Sequence, residues 1–264
     1  MTTSQTTADS RRLYPALLIA AICLGITVCE WIFAYQDPRL GIILALFLAL
    51  VIYLVTPIIK LGKSFTDAAE SLVLIPLYIL FTSSLPWFFL SQALLLPAVY
   101  SAVIALCAWH IYRKRISLRE MGFRRDKWLK YVLIGILAGA PLGAIEYFII
   151  TPVAAFPTFE TKYLFRDLFY MVVFVGLGEE VLFRGLIQRD MTNLFGGKWG
   201  LLVASLMFGV MHLTWRSIPE LAFTSLAGLL FGYLYYRTHS LTAPIIAHGV
   251  GNTILVAVMP YLMG

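Results

Sequence analysis

The residues able to do chemistry in this chain are few, and they stand where they cost most. Glu30, Glu146, Glu179, Glu180, Arg184, His212 and His248 all interrupt long apolar runs. A charged side chain at the centre of a bilayer costs at least about 2.5–3.5 kcal/mol on insertion scales. Glu179, Glu180 and Arg184 fall within six residues, inside a run otherwise apolar from Leu168 to Ile187. Helical spacing sorts them. Glu180 and Arg184, four apart, share a face and can pair. Glu179 is turned by about 100° and is available to a different neighbour. Downstream, Phe208 and His212 are four apart, and so are His248 and Asn252.

Together these residues suffice for general-base hydrolysis of an amide. A carboxylate in a site of low dielectric has its pKa raised towards neutrality, and can take a proton from water as that water attacks a carbonyl. An adjacent histidine orients the water or relays the proton. His248 and Asn252 would present two donors to the developing oxyanion, usually the largest catalytic term. Each residue also has a plainer reading. A buried Glu–Arg pair is often a brace, a buried histidine often a hydrogen-bonded packing residue. Phe208 reads as core, and Asn252 can simply link helices. What favours chemistry is that both histidines deep in apolar runs belong to such patterns. His239, in a short basic loop, and His110, beside Arg113-Lys114-Arg115, read as interfacial.

Membrane helices must position these groups. Over 264 residues the chain is 60% hydrophobic and 13% charged, with a mean hydropathy of +0.85. Soluble domains are nearer 45–50% apolar and about 25% charged. The fold class expected is all-α, a polytopic transmembrane bundle of about eight or nine spans of about 20 residues. Residues 1–12 form a polar tail, expected to be disordered over its first ten residues. Residues 13–112 are membrane helices without motifs, 113–130 a basic cytoplasmic loop, and 131–264 the motif-bearing membrane core.

Spans are expected at about 13–35, 40–59, 69–88, 92–112, 131–152, 168–191, 199–215, 218–237 and 241–262. Splitting residues 71–112 in two, with the turn near Ser83-Ser84-Leu85-Pro86 or Ser91-Gln92, keeps the basic loop inside. With the N-terminus cytoplasmic, sixteen of the 20 Lys and Arg then fall in the inside segments (1–12, 60–68, 113–130, 184–198, 237–240), as the positive-inside rule requires. The net charge of +6 thereby reads as topology and anionic lipid, not nucleic acid. Gly135, Gly139 and Gly143 form a ladder that admits a close neighbour. Cys23, Cys29 and Cys107 lie in apolar runs without metal spacing and read as small core residues. Glu30 and Glu146 either line a cavity or lie near the outer interface; their places towards the outer ends of their spans favour the interface.

Glu179-Glu180-x-x-x-Arg184, Phe208-x-x-x-His212 and His248-x-x-x-Asn252 resemble, in order and separation, the three motifs of the CAAX-processing and bacteriocin-processing family of intramembrane glutamic proteases. The resemblance covers about residues 120–260; Leu118–Phe123 also resembles the segment preceding that family's core. It implies that Glu179 activates water with His212, that His248 and Asn252 form the oxyanion hole, and that Glu180 and Arg184 support the site. It implies no cofactor. Zinc held by Glu179, His212 and His248 is possible but disfavoured, since no HExxH is present and the histidines lie on different helices. The partners implied are a membrane protein or peptide substrate, cut near its C-terminus or anchor, and the bilayer. The location implied is a bacterial inner membrane. A non-catalytic immunity or binding protein of the same fold is the alternative. A transporter is less favoured, because paired half-sequence repeats are absent.

Overall fold

The structure, a computed structural model, describes residues 3–83 and 92–264, with side chains from Leu13 onward except near the gap. Helix α1 (Thr3–Tyr35) includes residues 3–12, so the helix starts well before the polar tail gives way to apolar sequence. A sharp turn follows, in which Asp37 Oδ1 accepts from the Arg39 and Leu40 amides at 2.8 and 3.3 Å. Pro38 opens α2 (Pro38–Ile59), where a missing amide costs nothing. Helix α3 (Lys63–Ser83) and helix α4 (Gln92–Lys114) are separate, as the split of residues 71–112 required. Most of the expected turn between them lies outside the described residues.

Helix α5 (Trp128–Ile150) precedes a long helical run, α6, from residue 161 to residue 195. Two of its stretches, Met171–Gly176 and Val181–Gln188, are π-helical and flank an α-helical Leu177–Glu180. Such widened turns occur mostly at functional sites. Helix α7 (Gly197–Val210) is followed by a single 3₁₀ turn, Leu213–Trp215. Helix α8 (Ile218–Thr238) is capped by Ser217. Helices α9 (Thr242–Ala257) and α10 (Met259–Met263) end the chain.

Seven helices among the described residues are long and apolar enough to cross a membrane: α1 to α5, α8, and α9 continuing into α10. The expected sixth and seventh spans differ from these for physical reasons. The run α6 is long, but it carries Glu179, Glu180 and Arg184 in its middle. The span expected at 199–215 is not one helix. Its 14 residues of α7 rise about 21 Å, short of the roughly 30 Å of a hydrocarbon core. The turn bearing His212 completes it.

Helix α3 is the most enclosed of the seven. Its basic-side end is stitched to α4 by Lys114, 2.8 Å from Asp67 and 3.0 Å from Glu70, and by Arg113 on Glu70. At the other side Arg216 donates to the Ala34 carbonyl at 2.6 Å. The glycine ladder of α5 lies against α9. A Cβ on Gly135 would stand 2.8 Å from the Ala243 carbonyl oxygen, and Gly139 and Gly143 meet Ala247 and Gly251 in the same way. Any side chain there would force the helices apart.

Glu30 and His110 are both buried within the bundle, Glu30 at 1% exposure with Oε2 unpartnered among the described residues. The three cysteines are free thiols, Cys29 and Cys107 buried and Cys23 half-buried.

Candidate active site

The site is built on the α-helical turn of α6 between the two π-helical stretches. Glu179 and Glu180 are both buried, and their side chains diverge as the helical spacing requires. Glu180 points to α8 and α9. Its Oε1 accepts from Arg184 Nη1 at 2.7 Å and lies 2.8 Å from His248 Nδ1. Arg184 is wholly buried and donates through Nη2 to the Gly228 carbonyl at 2.9 Å. Its guanidinium stands 4.6 Å from the Phe208 ring centroid and 5.4 Å from that of Phe231. The charge is thus held by one carboxylate, one carbonyl and two aromatic faces.

Glu179 points the other way, to α3 and α4. Its Oε1 accepts from Tyr78 Oη at 2.9 Å and from Tyr100 Oη at 2.6 Å. Its Oε2 lies 3.8 Å from His248 Nε2, beyond hydrogen-bond reach. His248 therefore stands between the two carboxylates, tied to one and facing the other. It reaches them because α6 and α9 approach closely, with Gly176 against Ile245 and Gly249 against Val172. A Cβ on Gly176 would lie 2.8 Å from the Ile245 carbonyl oxygen.

His212 sits where α7 ends, just ahead of the 3₁₀ turn. Its Nδ1 lies 2.9 Å from the Phe208 carbonyl oxygen. A carbonyl only accepts, so Nδ1 carries the proton, leaving Nε2 of the neutral ring as an acceptor. Phe208 is core, 2% exposed, as expected. It also packs edge-on against His248, 5.7 Å between centroids, and tilted against His212 at 5.0 Å. His212, His248 and Asn252 line one cavity of about 30 Å³, closed by Phe208, Phe231 and Thr224. That volume accommodates a water molecule. Glu146 lines it too, one of the two places the sequence left open for this residue.

All seven singled-out residues thus fall around one point of the bundle: Glu179, Glu180, Arg184, Phe208, His212, His248 and Asn252. The histidine beside the glutamate pair is His248, whereas His212 faces the cavity with Asn252. Reading the sequence missed Tyr78 and Tyr100, which lie in helices without motifs. The available signal was a phenol inside each apolar helix, since a buried tyrosine hydroxyl usually finds a partner.

Residues 161–254, which contain all three motifs, match the sequence model of the family described as type II CAAX prenyl endopeptidase Rce1-like. This stretch is Rce1-like. The resemblance read from the motifs therefore holds over the part of the chain that carries them. No curated protein and no solved structure matches the chain. With seven helices among the described residues long and apolar enough to cross a membrane, the chain is an integral membrane protein, and residues 161–254 of it are similar to a protease family. No group of three His, Cys, Asp or Glu side chains among the described residues has a metal-holding arrangement.

Proposed function

We propose that this protein is an intramembrane endopeptidase. It hydrolyses a peptide bond near the C-terminus or membrane anchor of a protein or peptide substrate, using water activated by Glu179. The observation that carries this reading is the division of labour within the glutamate pair. Glu180 is occupied by Arg184 and His248, while Glu179 is held by two hydroxyls and keeps Oε2 towards a histidine. A base must be oriented without a cation hydrogen-bonded to it, and two phenol donors do that.

In the reaction, water attacks the carbonyl and its proton passes to Glu179. His212, with Nε2 as acceptor, orients the water. Asn252 donates through its amide to the oxyanion. His248 can do the same only with a proton on Nε2. Because Nδ1–H is committed to Glu180, the ring is then a cation and Glu180 its counter-charge. Collapse of the tetrahedral intermediate breaks the C–N bond, and the nitrogen must take up a proton to depart as the amine. The N-terminus is cytoplasmic in this reading, by the excess of Lys and Arg on that side, and the membrane a bacterial inner membrane.

The test is to compare protein C-termini in cells carrying the wild type and Glu179→Ala. New C-termini seen only with the wild type identify activity and substrate together. Identical sets would leave the non-catalytic binding reading standing. Chelator treatment followed by zinc distinguishes the metal-dependent alternative: activity lost and then restored would replace water activation by the carboxylate alone.

The tyrosines give a graded expectation. A hydrogen bond to a charged group contributes about 1.5–3 kcal/mol, so Tyr100→Phe should lower kcat about tenfold with the fold intact. Tyr78→Phe with Tyr100→Phe should cost more than either alone. Unchanged kcat in the double variant, measured beside an unchanged thermal melt, would remove the phenols from the site.

A further inference from the structure

Glu146, on α5, is unused in the mechanism above, yet it shares the cavity with His212, His248 and Asn252. Gly143, one turn before it, lies against Gly251 of α9, and Glu146 lines the same cavity as Asn252 of that helix. Behind it stands Glu220, in the first turn of α8 and wholly buried. Apart from the Glu146 carboxyl, no group of the described residues donates to either oxygen of Glu220. The Glu146 carboxyl is its hydrogen-bonding neighbour. Two carboxylates cannot hydrogen-bond to one another unless a proton lies between them. The titratable groups facing Glu146 are Glu220 from α8, His212 from the end of α7 and His248 from α9; no Lys or Arg lines the cavity. The one cation the cavity can hold, His248, is already balanced by Glu180, so two ionised carboxylates there would lack a counter-charge of their own, an arrangement that apolar surroundings penalise heavily.

We propose that Glu146, sharing one proton with Glu220, is a further catalytic residue: the general acid that protonates the leaving amine. This rests on the endopeptidase reading and supplies its missing step. Water adds to the carbonyl and gives its proton to Glu179. As the C–N bond breaks, the nitrogen takes the proton of Glu146, and the amine departs. The proton on Glu179 then passes through cavity water and His248 to Glu146, which restores both carboxyls. The net change is one amide and one water converted to one acid and one amine. Acid and base are thereby separate groups on opposite sides of His248, the same division of roles that environment imposes on other carboxyl pairs.

The test uses the full-length protein in proteoliposomes and an N-acylated apolar tripeptide, offered as its anilide and as its p-nitrophenyl ester. An anilide needs a proton on its leaving nitrogen; a nitrophenolate leaves without one. Glu146→Gln is expected to lower kcat on the anilide about 100-fold, within the range of general-acid effects. The same variant should lower kcat on the ester by less than about tenfold. KM stays unchanged for both. The fall in anilide rate at high pH, where the acid loses its proton, disappears in Glu146→Gln and is retained in Glu146→Asp. Infrared spectra at neutral pH show a protonated carboxyl band in the wild type that is lost in Glu146→Gln and in Glu220→Gln. Equal losses on anilide and ester, or no loss on either, overturn the inference. So does a loss confined to probes carrying Lys or Arg, which would assign the pair to charge recognition. The infrared band needs no substrate, so its absence overturns the shared proton even where neither probe is cleaved. Rates unaffected by Glu179→Gln would instead overturn the endopeptidase reading.

Discussion

Glu179→Gln is expected to reduce kcat by about 10²–10⁴-fold, the range contributed by a positioned general base, with little change in KM. The substitution is nearly isosteric, and the amide oxygen still accepts from Tyr78 and Tyr100, which donate to Oε1 at 2.9 and 2.6 Å. The fold should therefore survive and the melting profile match the wild type. What disappears is the ability to hold a proton. Glu180→Gln behaves differently, because the Glu180 Oε1 it alters lies 2.7 Å from Arg184 Nη1 and 2.8 Å from His248 Nδ1. That variant loses stability together with rate. Measuring kcat and thermal melts on both variants separates the base from the brace. Equal loss of stability in the two would show that the carboxylates do not divide the work. Retained kcat in a folded Glu179→Gln protein would dismiss it as the base.

Arg184→Ala is expected to destabilise the bundle by about 3–5 kcal/mol, the cost of leaving one member of a buried ion pair unpaired. In a protein of this size that corresponds to a fall in melting temperature on the order of 10 °C. Three things are lost together: the bond to Glu180, the bond to the Gly228 carbonyl, and the contact with the Phe208 and Phe231 rings. Arg184→Lys should recover little of this, since an ammonium is a point charge without the flat fork that fits carboxylate, carbonyl and ring at once. Arg184→Met combined with Glu180→Gln should melt higher than Arg184→Ala, because removing both charges leaves no bare carboxylate. A double variant no more stable than Arg184→Ala would show that the arginine acts by packing alone.

Much of this protein follows from the linear chain. Hydropathy places the apolar helices because every backbone group inside a bilayer must be bonded within its own segment. The spacing of Glu180 from Arg184 puts both on one helical face, and that pair forms. Adjacent carboxylates on a helix must diverge by about 100°, so the separation of Glu179 from Glu180 was legible before any fold was known. The glycine ladder of α5 announced a close neighbour, because absent side chains have no other use in an apolar helix.

Only the tertiary structure decided who the neighbours are. That α5 packs on α9 brings Glu146 to the cavity that Asn252 also lines. That α3 and α4 present Tyr78 and Tyr100 to Glu179 could not be read from helices that bear no motif. Which histidine stands by the glutamates also depended on packing: the contact of Gly176 and Gly249 with α9 and α6 brings His248 there, while the short α7 leaves His212 at the cavity. The physical reason is general. Spacing within a helix is set by backbone geometry common to all helices, whereas contact between helices is set by the shapes of the surfaces that meet.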